Sequence, residues 1–303
     1  MTDVTQPAEQ LEVVPLRHPL RWLAAGIILV VAVLLVVSVY SNRNINHATI
    51  DAYFLSGAIL AGLETTVVLA VISQIIGIVI GVVLAVMRLS GSRVLETIAI
   101  VYVWGLRGTP LLVQILIWGN LGILFATLGL SIPFTNITLF SVPTASVINV
   151  FVASIIALAT SEGAYMAEII RAGILSVGAG QREAALALGM TSSKVMRRII
   201  LPQALRVSIP PTGNDFISML KNTSLVSVIA GGDLLTRAQN ISAQNFRVIE
   251  LLLVATAWYL VLTTLATLGQ SQLERRFGRS EATSVSRRSW PGFMVRRLGR
   301  HHD

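Results

Sequence analysis

The sequence predicts an all-α integral membrane protein of about six transmembrane helices, and three observations carry that prediction. First, 54% of the 303 residues are hydrophobic and only 13% are charged, about half the ~25% of a soluble domain; the mean hydropathy is +0.74. Second, apolar runs recur along most of the chain. Several reach the ~20 residues that a helix rising ~1.5 Å per residue needs to cross a ~30 Å hydrocarbon core. Third, the chain lacks the ~10-residue segments of alternating polarity that mark a membrane β-barrel, so helices are left to satisfy the backbone in lipid.

Taken in order, the N-terminal stretch MTDVTQPAEQLEVVPLRHP is polar and acidic, unlike the basic start of a signal peptide. The first apolar run, about 22–41, carries no charge and is expected to stay as an anchor. The second, about 58–87, would measure ~45 Å as a straight helix and must tilt or project. The third region, about 98–128, is interrupted by RGTP at Arg107–Pro110. Pro110 lacks a backbone donor and disfavours helix at Thr109, so the spanning part is expected to begin there, with 98–106 as an interfacial or tilted approach. The fourth, fifth and sixth crossings fall at about 146–170, 216–235 and 248–270.

Basic residues set the orientation. With the N-terminus inside, the outer loops are about 42–57, 129–145 and 236–247, and they hold Arg43, Arg237 and Arg247, only 3 of the 23 basic residues. Both termini are therefore expected in the cytoplasm, together with a long loop at about 171–219. That loop is built with care. Arg182 to Leu188 reads as a short helix, Gly189 as its left-handed stop, and Thr191 or Ser192 as the cap of a second helix to about Leu201. Pro202 and the pair Pro210–Pro211 are expected to prevent a long continuous helix. The elbow is too rigid for a tether and reads as a docking element.

The loop also carries a pattern. Glu183-Ala184-Ala185, three residues, Gly189, nine residues, Ile199, one residue, then Leu201-Pro202 is E-A-A-x3-G-x9-I-x-L-P. It resembles the signature loop of permease subunits in bacterial ABC importers. RGTPLLVQ (107–114), YMAEIIRAGI (165–174), LPQALRVSIPPTGNDFISMLKNTSLVSVI (201–229) and TAWYLVLT (256–263) follow the order found in permeases for polar amino acids, the histidine/glutamate/arginine type. The resemblance covers roughly 55–277 and implies a type I ABC-importer permease architecture, a five-helix core preceded here by an N-terminal helix. It divides the chain into 1–54 (cytoplasmic N-terminus, extra helix and outer loop), the permease domain 55–277, and a basic cytoplasmic tail 278–303. Gly178-Ala179 stands where many relatives have proline and a basic residue, a departure at the loop's start and outside the docking motif.

The resemblance further implies a multi-pass protein of a bacterial cytoplasmic (inner) membrane that moves polar amino acids by alternating access. The implied partners are ABC ATP-binding subunits, an extracytoplasmic amino-acid-binding protein, and a second permease subunit, identical or sister. Glu183, Ala184, Ala185, Gly189, Ile199, Leu201 and Pro202 would dock the ATPase. ATP and Mg would sit on that partner. This chain contains no G-x-x-x-x-G-K-[ST] phosphate loop, so it is expected to be non-catalytic and to bind no cofactor.

Within the helices, ionisable residues are functional candidates because charge in lipid is expensive. Glu162 lies deep in the fourth crossing, where it either lines the path or bonds a neighbouring helix. Glu168 and Arg171, three apart on one face, are expected to form a structural ion pair. Gln114, after the proline break, and Asn222 and Thr223, at the inner mouth of the fifth crossing, are candidates for the path or gate. Arg107 reads as an interface anchor. The chain has no cysteine and four histidines, two of them adjacent near the C-terminus, which excludes thiol chemistry and leaves no expected metal site. The tail mixes arginines with Trp290 and Phe293, which suits either anionic lipid or solvent; nucleic acid is not expected as a partner. The alternative is an ion-gradient-driven secondary transporter or channel, but no internal repeat of the kind such proteins carry is visible.

Overall fold

The computed structural model describes residues 19–131 and 138–277; the N-terminal stretch 1–18 and the predicted basic tail from 278 lie outside them. The chain divides into two compact units, Met1–His47 and Ala48–Asp303. In the first, α1 (Pro19–Tyr40) occupies the first predicted run, and the His47 ring is within hydrogen-bonding distance of Tyr40 O at 2.8 Å.

α2 (His47–Phe54) begins at the last residue of the first unit and continues into the second. This part of the predicted outer loop is helical because Ile50, Tyr53 and Phe54 pack against a core that includes Leu234, Leu251 and Val254. Trp258 Nε1 donates to Phe54 O at 2.8 Å. α3 (Gly57–Leu89) is capped by Ser56, whose hydroxyl accepts from Ile59 N. α4 (Arg93–Gly108) and α5 (Leu111–Gly119) are two arms of the third region, bent by 98°. The break falls where Pro110 required it, but the second arm runs only nine residues. Asn120 stops it: its side chain donates to Leu116 O at 2.8 Å and competes with the helical ladder. The turn α6 (Leu121–Leu124) leads to an antiparallel hairpin, β1 (Thr127–Ser131) and β2 (Thr138–Pro143). This hairpin is the one departure from helix among the regular elements described.

After the short α7 (Thr144–Val147), α8 (Val150–Leu175) starts at Asn149, whose side chain accepts from Val152 N at 3.0 Å. α8 is the central helix, packing on α3, α4 and α5. Its closest partner is α3, and glycines make the approach possible. A Cβ on Gly77 would lie 2.6 Å from Glu162 Cγ, one on Gly81 would collide with Met166, and one on Gly163 would lie 2.5 Å from Ile80 Cγ2. Gly77 and Gly81 are one turn apart, the spacing that lets helix backbones approach closely in membranes.

α9 (Ala179–Ala187) and α10 (Ser192–Val195) form the loop, and a π-turn over Met196–Ile200 joins them to α11 (Leu201–Asn222). Here the expectation of a broken helix is corrected: the chain stays helical through Pro202, Pro210 and Pro211. The π-turn carries Leu201 N–H back five residues to Met196 O, which widens the ladder just before Pro202. Around the proline pair, Gln270 Nε2 donates to Pro210 O at 2.7 Å and Thr212 Oγ1 to Ser208 O at 2.8 Å. Because α11 begins at Leu201, it ends at Asn222, in the middle of the predicted fifth crossing. A 3-10 segment follows (Thr223–Ile229), closed by Ala230 in the left-handed region. α12 (Leu234–Asn245) and α13 (Val248–Phe277) complete the unit. Asp233, fully buried, caps α12 through Leu235 N and Thr236 N and accepts from the Tyr259 hydroxyl.

Among the described residues, α3, α8 and α13 are long and apolar enough to cross a membrane, and the α4–α5 pair makes a fourth if its arms form one span.

Candidate functional site

A cavity of about 310 Å³ opens where α8, α11 and the α4–α5 break meet. Each wall follows from a local feature. The break brings Thr109 and Leu111 to the edge; α8 contributes Leu158, Ser161, Glu162 and Tyr165; α11 contributes Asp215, Ser218 and Asn222. Two carboxylates thus share one small space. Glu162 is only 6% exposed, and its Oε1 accepts from Gln74 Nε2 of α3 at 3.0 Å. Asp215 is half-buried, and its Oδ2 is buried without a hydrogen-bond partner. Arg107 is exposed and lies outside the lining; its guanidinium carbon is 5.1 Å from the centroid of the Tyr165 ring, and its charge acts on Asp215.

The loop is a second built structure. Gly189 has φ +79°, Gly189 N–H donates to Leu186 O at 2.9 Å, and Met190 N–H reaches Ala185 O at 3.1 Å. These two bonds make a Schellman stop. Ala185, Val195 and Ile200 form a small core joined by Ile174, Val177, Met190 and Ile199. Gln203 Nε2 bridges Ile199 O (2.9 Å) and Gln181 Oε1 (2.6 Å), closing the elbow. Outside that core, Glu183, Ala184, Leu201 and Pro202 are exposed, and Leu188 projects at 85% exposure.

Residues 77–279 match the family described as binding-protein-dependent transport system inner membrane component. The chain belongs to that family. Among its relatives, an arginine transport system permease protein of Corynebacterium glutamicum is 42% identical over 94% of this chain and 88% of its own length. An L-cystine transport system permease protein of Bacillus subtilis is 42% identical over 72% of this chain and 86% of its own. A crystal structure of an amino acid ABC transporter with histidines superposes with a TM-score of 0.62 at 37% identity, over 72% of this chain and 94% of that one. The MetNI methionine ABC transporter in an inward-facing conformation, at 17% identity and a TM-score of 0.54, shares the fold. The architecture is therefore that of a type I ABC-importer permease, a membrane component of a transport system. The ion-gradient alternative is not favoured by these matches.

The sequence-predicted residues fall into four groups. Glu162 and Asn222 line the cavity. Gln114 and Thr223 do not. Gln114 is turned into the helix break, where its amide donates to Leu106 O (2.8 Å), Thr109 O (3.1 Å) and Thr109 Oγ1 (3.0 Å); it supplies the donors that the proline break removes. Thr223 is fully buried; its hydroxyl donates to Leu220 O at 2.9 Å and lies beside the Tyr259 hydroxyl. Glu168 and Arg171 do pair, with Arg171 Nη2 and Nε 2.9 and 3.1 Å from Glu168 Oε2. Arg88 of α3 meets the other oxygen of Glu168, so this permease has a three-membered clamp rather than a pair. In the loop, Ala185 faces the elbow's own core and Ile199 is half-buried there. Glu183, Ala184, Gly189, Leu201 and Pro202 remain on the surface.

Sequence reasoning passed over Asp215, Arg88 and Leu188. Asp215 had a readable signal: a carboxylate at the edge of an apolar run, four residues after a proline pair. Gln74 and Arg88 act across the α3–α8 interface, which only the folded chain reveals. Among the described residues no group of three His, Cys, Asp or Glu side chains is arranged to hold a metal ion.

Proposed function

We propose that this permease carries amino acids with a cationic side chain into the cell and that its path runs through the cavity between α8 and α11. The observation that carries the reading is the pair of carboxylates, Glu162 and Asp215, on the wall of one cavity, with an Asp215 oxygen left without a hydrogen-bond partner. Charge inside a membrane protein is costly unless it serves a ligand or partner. The arginine transport relative, similar over 94% of this chain, supports the same substrate class. ATP and Mg belong to a separate ATP-binding subunit, which docks on the loop surface formed by Glu183, Ala184, Gly189, Leu201 and Pro202, with Ala185 and Ile199 behind it. An extracytoplasmic binding protein delivers the substrate, and a second permease chain, identical or sister, completes the membrane half. Both termini are placed in the cytoplasm in this reading, which the 3 of 23 basic residues in the predicted outer loops support.

The alternation of access follows from the connectivity. α8 runs directly toward the loop and carries Glu162, while α11 begins in the loop and carries Asp215. Movement of the elbow therefore changes the separation of the two acidic walls. The test is uptake of labelled arginine, glutamine and glutamate by the reconstituted importer with Glu162→Gln or Asp215→Asn. Loss of one charge-assisted contact predicts about a tenfold or larger fall in arginine uptake. Retention of arginine uptake in both variants would refute the assignment.

A further inference from the structure

An amino acid is charged at both ends, and two carboxylates alone recognise only its cationic groups. A candidate for the complementary cation is Arg107. It lies in the last turn of α4, two residues before Thr109 of the cavity wall. Its guanidinium is stacked over Tyr165, itself part of that wall, a cation–π contact that holds the group in place without using its N–H donors. Among the described residues Arg107 forms neither an ion pair nor a hydrogen bond; it is exposed, its charge acts on Asp215, and its N–H donors are open to a ligand. Beyond it, the capping position of α5 is Pro110, with no side chain closing the helix start, and Leu111 at that start borders the cavity. The break thus turns the positive end of a helix toward the same space.

We propose that Arg107 binds the α-carboxylate of the transported amino acid, with Glu162 and Asp215 receiving its cationic groups. The charges then balance: two carboxylates and one guanidinium leave one net negative charge, which matches a dibasic amino acid carrying one net positive charge. Arg107 sets specificity for a free carboxylate, and the planar fork of arginine suits a two-point contact with it. This inference rests on the cavity reading above.

The test is equilibrium binding to the purified permease bound to its ATP-binding subunit, without the binding protein, whose own selectivity would mask the effect. The probes are labelled arginine and agmatine, which is arginine without its carboxylate. The wild-type complex is expected to bind arginine at least about tenfold more tightly than agmatine. In Arg107→Gln arginine falls to the agmatine level while agmatine binding stays unchanged, which also shows that the variant is folded. Arg107→Lys restores part of the preference. An unchanged arginine-to-agmatine ratio in Arg107→Gln overturns the proposal and leaves the cavity reading intact. Equal loss of both probes in Arg107→Gln and Arg107→Lys also overturns it and assigns Arg107 to the structure of the break. If Glu162→Gln and Asp215→Asn bind both probes as wild type does, the cavity reading fails and this inference with it.

Discussion

Gly189 shows how one residue can fix a loop. Its φ of +79° places it in the left-handed region, and a Cβ there would meet nothing within 4 Å. The demand on this position is therefore conformational, not steric. Gly189→Ala is expected to lower stability by about 1 kcal/mol, and Gly189→Asn by less because asparagine tolerates this region; thermal unfolding in detergent measures both. This residue was legible in the sequence because a Schellman stop is made within six consecutive residues. The role of Ala185 was not. A small residue serves a partner's approach and an internal core equally well, and only the facing Val195 and Ile200 decide between them. Glu162 was found for its charge alone; its partner Gln74 lies 88 residues away, beyond any local pattern.

At the scale of elements, proline gave correct and incorrect guidance for one reason. Pro110 breaks the helix because Gln114 and Thr109 offer the freed carbonyls other donors. Pro210 and Pro211 do not, because α8 and α13 hold α11 from its sides. Propensity is a local preference, and tertiary packing overrode it at the second site. Gln114→Leu is accordingly expected to lower stability by about 1 kcal/mol by leaving part-buried carbonyls without this donor, while the order of preference among substrates stays unchanged in a competition assay. The α3–α8 interface makes a complementary prediction. Gly77→Ala would force its Cβ to within 2.6–2.7 Å of Glu162, an overpacking of about 1–3 kcal/mol that displaces the carboxylate. Arginine uptake is expected to fall in Gly77→Ala, whereas Gly26→Ala, with open space around it, should transport normally. Normal arginine uptake in Gly77→Ala would show that the position of Glu162 is not critical.

Over the whole molecule, the membrane class, the positions of the apolar runs and the loop pattern were readable because each is written in contiguous residues. The cavity was not, since its walls come from residues 109 to 225 and exist only once α8 and α11 pack. The same separation defines the account. In the proposed account the chain supplies a path and a lever, and ATP acts through the elbow from a partner subunit. The most direct measurement is labelled arginine uptake by proteoliposomes holding this permease with its ATP-binding subunit and binding protein, with and without ATP, in wild type and in Gly189→Asp. The account predicts uptake that requires ATP and both partners and is lost in Gly189→Asp, where a charged side chain is set on the docking surface at a backbone angle that disfavours it. Uptake by the permease alone, driven by an ion gradient and indifferent to Gly189→Asp, would contradict it.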